Sequence, residues 1–164
     1  MKLYHGSTEI IHQPLILDSQ RLLDFGKGFY TTTNAEQAKS WAIIKSKRIV
    51  GALNAYVSVY DIDDNMLDSK DFNVKKFVQA NEEWLDFVYE NRKGLTTHKY
   101  DIVIGAVAND TLYQTLSLYE SGILTKLETI SRLKTHLLFD QISFHNADTL
   151  SRLKLIDYYK VDVK

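Results

Sequence analysis

The sequence predicts an α+β fold built on antiparallel β-sheet. Short apolar or alternating runs predict strands, and longer stretches with apolar residues at helical spacing predict helices. The two kinds of segment follow one another without the regular alternation that is typical of a parallel sheet. The chain of 164 residues contains one proline, seven glycines and no Ser/Gly-rich or charged linker, so we expect residues 1–164 to form a single domain.

The first part of the chain predicts two strands and a helix. The stretches KLYH and GFYTTT combine aromatic or β-branched residues with glycine, as strands bounded by turns do. Asn34 can cap a helix, and Gln37 follows three residues later, as in a capping box. Ala38, Trp41 and Ala42 then recur at helical spacing. We therefore expect a helix that begins after Asn34 and carries Trp41 on its inner face.

The middle of the chain predicts a strand and a long helix. The stretch LNAYVSVYDI, from Leu53 to Ile62, alternates in the manner of a strand, with Leu53, Ala55, Val57 and Val59 on one side. An apolar stripe at helical spacing predicts a helix over about residues 72 to 91, which Gly94 ends. The residues on this face are Val74, Phe77, Val78, Asn81, Leu85 and Val88, and Trp84 and Phe87 widen it.

The last part predicts two strands, two helices and a final strand. YDIVIGAVA reads as a buried strand, and HLLFDQISFH reads as a strand on which Asp140 and Gln141 face opposite ways. Between them we expect one helix capped by Asn109 or Asp110 and ended by Gly122, and a short second helix. Their apolar faces comprise Leu112, Leu116 and Tyr119 in the first and Leu127, Ile130 and Leu133 in the second. LKLIDYYKVDVK predicts the last strand.

Composition argues against several classes of function. Twenty basic and 21 acidic residues leave a net charge of -1, which gives no general attraction to nucleic acid or to anionic membranes. The lack of cysteine excludes disulfides and thiolate metal sites, and the five histidines show no ligand spacing on one helix. Phosphate-binding, dinucleotide-binding, zinc-protease and serine-hydrolase motifs are absent. No apolar run is long enough for a membrane span and no secretory signal is evident, so we expect a cytoplasmic protein without a membrane partner or a metal.

Three separated motifs carry a resemblance to a known superfamily. They are LYHGS at residues 3–7, DFGKGFYTTT at residues 24–33 and LLFDQISFH at residues 137–145. In order and spacing they resemble the diphtheria-toxin and poly(ADP-ribose) polymerase branch of the ADP-ribosyltransferases. Over nearly its whole length the chain also resembles a family of small, largely uncharacterised bacterial proteins with DFGKGFY and YDIVIG-VAND motifs. Some of those proteins are thought to be toxins paired with antitoxins.

The resemblance implies a fold, a co-substrate and a set of binding residues. The implied fold is a split antiparallel β-sheet core with flanking helices, and NAD is the implied co-substrate. His5 would bind the adenosine ribose, Gly6 would bind the nicotinamide carboxamide through its backbone, and Tyr30 would stack on the nicotinamide ring. The implied NAD-binding residues are His5, Gly6, Ser7, Lys27, Gly28, Phe29, Tyr30 and Trp41.

Each of these residues also has a structural interpretation. His5 can be an exposed residue at a strand end, Gly6 an ordinary turn residue and Tyr30 a core aromatic. Trp41 fits the apolar face of its helix as well as a ligand contact. Lys27 can bind a pyrophosphate or be a solvated side chain. From the residues alone, these alternatives stay open.

The catalytic residues implied by the resemblance are His5, Tyr30 and Gln141, and Gln141 departs from the family pattern. It stands where the family has a glutamate that binds a ribose hydroxyl and stabilises developing positive charge. Glutamine keeps the hydrogen-bonding ability and lacks the charge. Asp140 cannot take over this role on a regular strand, because it faces the other way. We assign no catalytic role to Asp101, Asn109 or Asp110.

Three functions follow as hypotheses. The first is NAD-dependent mono-ADP-ribosyl transfer, a glycosyltransferase reaction, by the toxin of a toxin–antitoxin pair. Its partners would be NAD, an unidentified macromolecular or small-molecule acceptor and an antitoxin protein. The second is an NAD glycohydrolase, for which water is the acceptor. The third is a non-catalytic module of the same fold that binds NAD, ADP-ribose or a partner protein.

Overall fold

A computed structural model describes residues 1–18, 22–107, 110–133 and 140–163, with side chains of the helix that begins at residue 110 described from residue 114. This part of the chain has the predicted α+β class, with five α-helices and two β-sheets. In chain order the elements are β1 (Lys2–Ser7), β2 (Phe29–Thr31), α1 (Ala35–Arg48), β3 (Ala55–Asp61), a 3₁₀ helix (Asp64–Asp68), β4 (Val74–Lys76), α2 (Glu82–Lys93), β5 (Ile102–Ala106), α3 (Asp110–Glu120), α4 (Lys126–Leu133), β6 (Asp140–Phe144), α5 (Ala147–Ser151) and β7 (Lys154–Val161).

The two sheets meet at one bridge between β1 and the residue after β2. One sheet has the order β1-β3-β7 and is antiparallel, and the other has the order β2-β6-β5-β4. Tyr4 and Thr32 exchange two backbone hydrogen bonds, of 2.9 and 3.0 Å, at the bridge. Strands β4 and β5 pair in parallel, so the expectation of a purely antiparallel core is wrong for the second sheet.

Helix α1 begins as predicted. The side chain of Asn34 accepts a hydrogen bond from the backbone N–H of Gln37 at 2.9 Å. The face of α1 that packs on the sheet is formed by fully buried Ala38 and Ala42. Trp41 is only partly buried and lies beside this face, which corrects the expectation that it belongs to the inner face.

The predicted long helix over residues 72 to 91 is wrong in its first half. Val74 lies in strand β4, and Val78 is 98% exposed. Helix α2 begins later, where the Asn81 side chain accepts a hydrogen bond from the backbone N–H of Trp84 at 3.0 Å. The helical spacing of Val74 and Phe77 is coincidental, because the two side chains join separate hydrophobic clusters. Gly94 ends α2 as predicted.

Other differences are smaller. Leu53 is 87% exposed because β3 begins two residues later, and Leu127 is 80% exposed on α4. The 3₁₀ helix and α5 were not predicted, whereas β5, β6 and β7 occur within the predicted stretches. Asn109 and residues 136–139 of the predicted strand lie outside the described residues, as does the side chain of Leu112.

The described core residues form three apolar clusters, and the two faces of each sheet contact different clusters. The first cluster, with Leu3, Phe29, Ile142 and Phe144, lies against one face of the second sheet. Clusters around Trp84 and around α1 cover the other surfaces. The register of β5 with β6 runs without a bulge, so Gln141 faces away from Ile142, as predicted. Among the described residues, no helix is long and apolar enough to cross a membrane.

Candidate functional site

The DFGKG loop, defined here as residues 24–28, is fastened by the hydroxyl group of Tyr30. Gly26 has a φ of 81°, which glycine adopts without the steric cost that a Cβ atom brings. The Tyr30 hydroxyl accepts a hydrogen bond from the backbone N–H of Phe25 at 2.9 Å and donates one to the carbonyl oxygen of Gly26 at 2.7 Å. Because the Phe25 side chain is also fully buried, the loop is held from both its backbone and its core residue.

Two histidines bind carbonyl oxygens of the same loop. The Nε2 atom of His98 lies 2.7 Å from the carbonyl oxygen of Phe25, and the Nδ1 atom of His145 lies 2.7 Å from that of Lys27. Since a carbonyl oxygen only accepts hydrogen bonds, each of these nitrogens carries a proton. The imidazole rings contact each other edge to face, with centroids 4.5 Å apart. The sequence assigned neither histidine a role.

The second nitrogen of each imidazole is an acceptor. Nδ1 of His98 accepts from the backbone N–H of Tyr100 at 3.2 Å, and Nε2 of His145 accepts from the hydroxyl of Ser143 at 2.7 Å. Burial lowers the pKa of His145 to about 4, so its ring is neutral at neutral pH. A Cβ atom at Gly28 would lie 2.9 Å from the His145 ring, so a larger side chain there would displace it. Ser143 is fully buried, so the Ser–His pair does not offer an accessible nucleophile.

His5 binds the main chain of Tyr30 at the junction of the two sheets. Its Nδ1 atom lies 2.7 Å from the Tyr30 carbonyl oxygen, and its ring stacks on Phe29 with centroids 4.3 Å apart. Burial, assisted by the positive charge of Lys45, lowers the pKa of His5 to about 4. Nδ1 therefore carries the proton of a neutral ring, and Nε2 is a free acceptor that has no hydrogen-bond partner within the described residues.

The structure joins His5 to the backbone of Tyr30 and not to its ring. Phe29 and Tyr30 are consecutive on β2, so their side chains leave opposite faces of the sheet. The His5 ring lies with Phe29, whereas the Tyr30 ring packs against Phe25, with centroids 6.4 Å apart. Tyr30 faces the same side of the sheet as Gln141, because their strands pair with Tyr30 opposite Ser143.

Gly6 and Ser7 lie against helix α1. A Cβ atom at Gly6 would overlap the carbonyl oxygen of Ala38 and lie 2.7 Å from the backbone nitrogen of Ala42. The close approach that requires glycine is therefore that of a helix to a strand. Ser7 is 4% exposed, and the Lys45 ammonium lies 3.4 Å from its hydroxyl.

Lys27 and Trp41 lie apart from these contacts. Lys27 forms an exposed ion pair with Asp18, and its carbonyl oxygen binds His145. Trp41 lies partly buried on α1. The predicted contact of Lys27 with a pyrophosphate and that of Trp41 with the ligand stay predictions.

The side-chain amide of Gln141 is engaged inside the protein. Gln141 is 3% exposed, and its Nε2 atom donates hydrogen bonds to Oδ2 of Asp24 at 3.0 Å and to the carbonyl oxygen of Ala106 at 3.1 Å. The indole N–H of Trp84 donates to the same carbonyl oxygen at 3.2 Å. Both amide protons of Gln141 are thus used by neighbouring protein groups.

Asp24 connects Gln141 to a buried ion pair. Nη1 of Arg92 donates to Oδ1 of Asp24 at 3.0 Å, and Nε of Arg92 donates to Oε1 of Glu120 at 2.6 Å. The two carboxylates raise the pKa of Arg92 although burial acts in the opposite direction. We refer to Asp24, Arg92, Glu120 and Gln141 as the Gln141 cluster. It ties the DFGKG loop to α2, α3 and β6.

The chain matches one protein-family model over most of its length. The model of DUF3990, described as "Protein of unknown function", matches residues 1–155. The chain belongs to the DUF3990 family. No curated protein and no solved structure matches it.

Several residues around the DFGKG loop of this DUF3990 protein were not identified from the sequence. Sequence analysis assigned no role to four residues that lie far from the DFGKG loop along the chain, namely Arg92, Glu120, His98 and His145. The one available signal was Asp24, which the DFGKG motif includes and which the site prediction did not use. An acidic side chain next to an apolar aromatic residue indicates that the carboxylate is partly buried and therefore needs a cationic or hydrogen-bonding partner from another part of the chain.

Two cavities among the described residues of this DUF3990 protein lie away from the predicted site residues. One of about 560 Å³ is lined by residues such as Asp61, Met66, Phe72 and Arg152, at one end of the antiparallel sheet. None of the predicted site residues lines it. The described residues contain no group of three or more His, Asp or Glu that could hold a metal ion. The candidate site is the junction between the two sheets, formed by His5, β2 and the DFGKG loop, because these elements bind one another there.

Proposed function

We propose that the chain is an NAD-dependent mono-ADP-ribosyltransferase. The observation that carries the proposal is the neutral His5 at the junction of the two sheets, whose Nε2 lone pair has no partner among the residues that the structure describes. It is supported by the DFGKG loop beside it, which Tyr30 holds in a fixed conformation. The motif resemblance supplies NAD as the ligand.

His5 is suited to bind a ribose hydroxyl. The Tyr30 carbonyl oxygen fixes the tautomer, because it requires the proton on Nδ1. The low pKa keeps Nε2 unprotonated, so that it accepts the hydrogen bond of a hydroxyl group. Stacking on Phe29 fixes the plane of the ring. A preorganised acceptor of this kind binds a polar ligand group with little loss of side-chain entropy.

The proposed reaction breaks one glycosidic bond and forms another bond at the same carbon. The bond between C1′ of the ribose and the nicotinamide nitrogen breaks, and nicotinamide leaves with the bonding electron pair. The positive charge is shared with the ribose ring oxygen, as in glycoside hydrolysis. A nucleophilic atom of the acceptor then bonds to C1′ and loses a proton. The resemblance assigns Tyr30 to the nicotinamide ring. Its ring packs against Phe25, on the face of β2 opposite to the His5 ring, so the proposal rests on His5 and not on Tyr30.

The test measures two products of purified protein and NAD labelled in the adenosine half, with and without bacterial lysate. Mono-ADP-ribosyl transfer predicts nicotinamide release together with label on a macromolecule. Release with free ADP-ribose alone would indicate a glycohydrolase. Neither release nor label with any lysate would contradict transfer. His5→Asn is the informative variant and His12→Asn, at an exposed position, is its matched control.

A second candidate function is NAD or ADP-ribose binding without turnover. The observation in its favour is that Gln141 is 3% exposed and that both of its amide protons are used. A ligand would reach this amide only after Asp24 or Ala106 had moved. Saturable NAD binding without nicotinamide release, in the presence and absence of lysate, would establish this function and exclude the first.

A further inference from the structure

We propose that Gln141 is a positioning residue, whose amide holds Asp24 and thereby the DFGKG loop. The observed contact joins Gln141 Nε2 to Asp24 Oδ2 at 3.0 Å. The inference deepens the proposed function and rests on it for the identity of the ligand. Its geometry does not depend on NAD.

The chemistry of the contact explains why residue 141 is an amide. Asp24 and the carbonyl oxygen of Ala106 are acceptors, and Gln141 gives one proton to each. A glutamate has no proton to donate when ionised, and it would set two carboxylates side by side at a buried position. Gln141, the residue that departs from the ADP-ribosyltransferase pattern, thus supplies the hydrogen-bond donor that the Asp24 carboxylate accepts from.

The charges of the Gln141 cluster lead to the same conclusion. Arg92 stands between two carboxylates, so the cluster has an excess of one negative charge before residue 141 is counted. Lys93 lies 3.9 Å from Glu120 and is 42% exposed, on the solvent side of the cluster. A further negative charge next to Asp24 would be costly, because Asp24 is only 9% exposed.

Asp24 is placed to act on the loop and on Tyr30. It precedes Phe25 and Gly26, the two residues whose backbone groups bind the Tyr30 hydroxyl. Its charge adds to the effect of burial in raising the pKa of Tyr30. Releasing Asp24 from Gln141 would therefore loosen the segment that carries the tyrosine's hydrogen bonds.

The first test transposes the amide and the carboxylate. Wild type, Gln141→Glu, Asp24→Asn and the double variant are unfolded in urea, and tryptophan fluorescence is recorded because Trp84 is fully buried. In the double variant, the amide introduced at position 24 can donate to the carboxylate introduced at position 141 and still accept from Arg92. If the effects of the two substitutions were additive, the single variants would predict a certain equilibrium constant for unfolding. We expect the constant of the double variant to be at least about tenfold smaller than that value, so that the double variant is more stable than additivity predicts.

A matched control excludes a general tolerance for buried carboxylates. Gln37 is also a buried glutamine, at 7% exposure, but lies on α1 away from Asp24. Gln37→Glu combined with Asp24→Asn should give additive effects. If Gln141→Glu and Asp24→Asn are also additive, the inference is overturned.

The second test separates positioning from general stabilisation. Hydrogen exchange is compared at the backbone amides of Phe25 and Gly26 and at those of β3 in wild type, Gln141→Ala and Gln37→Ala. We expect Gln141→Ala to accelerate exchange at the loop amides by at least about tenfold and to leave β3 unchanged. Equal acceleration in both segments would overturn the inference.

The two proposals fail separately. Both tests are done without NAD, so they decide the role of Gln141 whether or not the ligand is NAD. A wild-type protein that does not bind NAD contradicts the proposed function, and additive unfolding effects with unlocalised exchange contradict the positioning role.

Discussion

His5 donates a hydrogen bond from Nδ1 to the carbonyl oxygen of Tyr30, at 2.7 Å and across 25 residues of sequence. This bond joins the first strand of one sheet to the first strand of the other, next to the bridge between Tyr4 and Thr32. It fixes one tautomer of the imidazole and leaves Nε2 as an acceptor. The candidate site is thus built on a junction that the fold itself requires.

Acidification should destabilise the protein before most carboxylates are protonated. The pKa of His5 and that of His145 are each lowered from 6.5 to about 4 in the folded state, chiefly by burial. Their contribution to stability is therefore present above pH 6.5 and is lost as the pH falls towards 4. We expect a loss on the order of 2 kcal/mol per histidine, measured as the free energy of unfolding in urea across this range. The dependence of the unfolding free energy on pH should be weaker in His145→Asn than in wild type and should be unchanged in His12→Asn. A wild-type stability that stays constant down to about pH 4.5 would contradict the prediction.

Tyr30→Phe should destabilise the DFGKG loop. The substitution removes the hydroxyl that accepts from Phe25 and donates to Gly26 and keeps the ring. Leaving these partly buried backbone groups without partners should cost about 1–3 kcal/mol of unfolding free energy. Tyr89→Phe is the matched control, since Tyr89 is partly buried on α2 and the structure shows it in ring contact with Tyr119. A loss at Tyr30 no greater than that at Tyr89 would count against the role of the hydroxyl.

Gly6→Ala should be among the most damaging small substitutions. The added methyl group would overlap the carbonyl oxygen of Ala38, which belongs to the backbone of α1 and cannot rotate away. Overpacking of this kind costs about 1–3 kcal/mol or more. Gly51→Ala is the control, because a Cβ atom at Gly51 meets nothing within 4 Å and brings only backbone strain at a φ of 85°. Thermal unfolding of the two variants makes the comparison, and an equal loss would show that α1 can shift.

Arg92→Met should destabilise the protein more than any removal of an exposed ion pair. It would leave the carboxylates of Asp24 and Glu120, both largely buried, without their shared cation. Removing one partner of a buried pair costs about 3–5 kcal/mol, whereas exposed pairs contribute about 0–1 kcal/mol. Lys76→Met, which breaks an exposed pair with Asp68, is the control, and urea unfolding measures both. Similar losses in the two variants would contradict the importance of the Gln141 cluster.

Much of the fold could be predicted because its signals are local. The cap at Asn34, the stop at Gly94 and the alternation of β3 and β6 depend on neighbouring residues, and each lies near its predicted place. Strand β4 could not be predicted this way. Val74 and Phe77 have helical spacing, and only pairing with β5 reveals that they belong to a strand and the segment after it.

The candidate site was predictable only where its residues lie in motifs. His5, Tyr30 and Gln141 were found through their motifs, but the partners of Gln141 lie 117 and 35 residues away along the chain. No local pattern records such distances. His98 was missed for the same reason, and His145, although it ends the third motif, received no role because its contact with the loop exists only in the folded protein.

The most direct test of the central claim is a calorimetric titration of the protein with NAD, comparing wild type, His5→Asn and His12→Asn. Asparagine can still donate to the Tyr30 carbonyl oxygen, but it has no acceptor at the position of Nε2. We expect saturable binding to wild type and to His12→Asn, and at least about tenfold weaker binding to His5→Asn. Absence of NAD binding to the wild type, or equal affinity of all three proteins, would contradict the account.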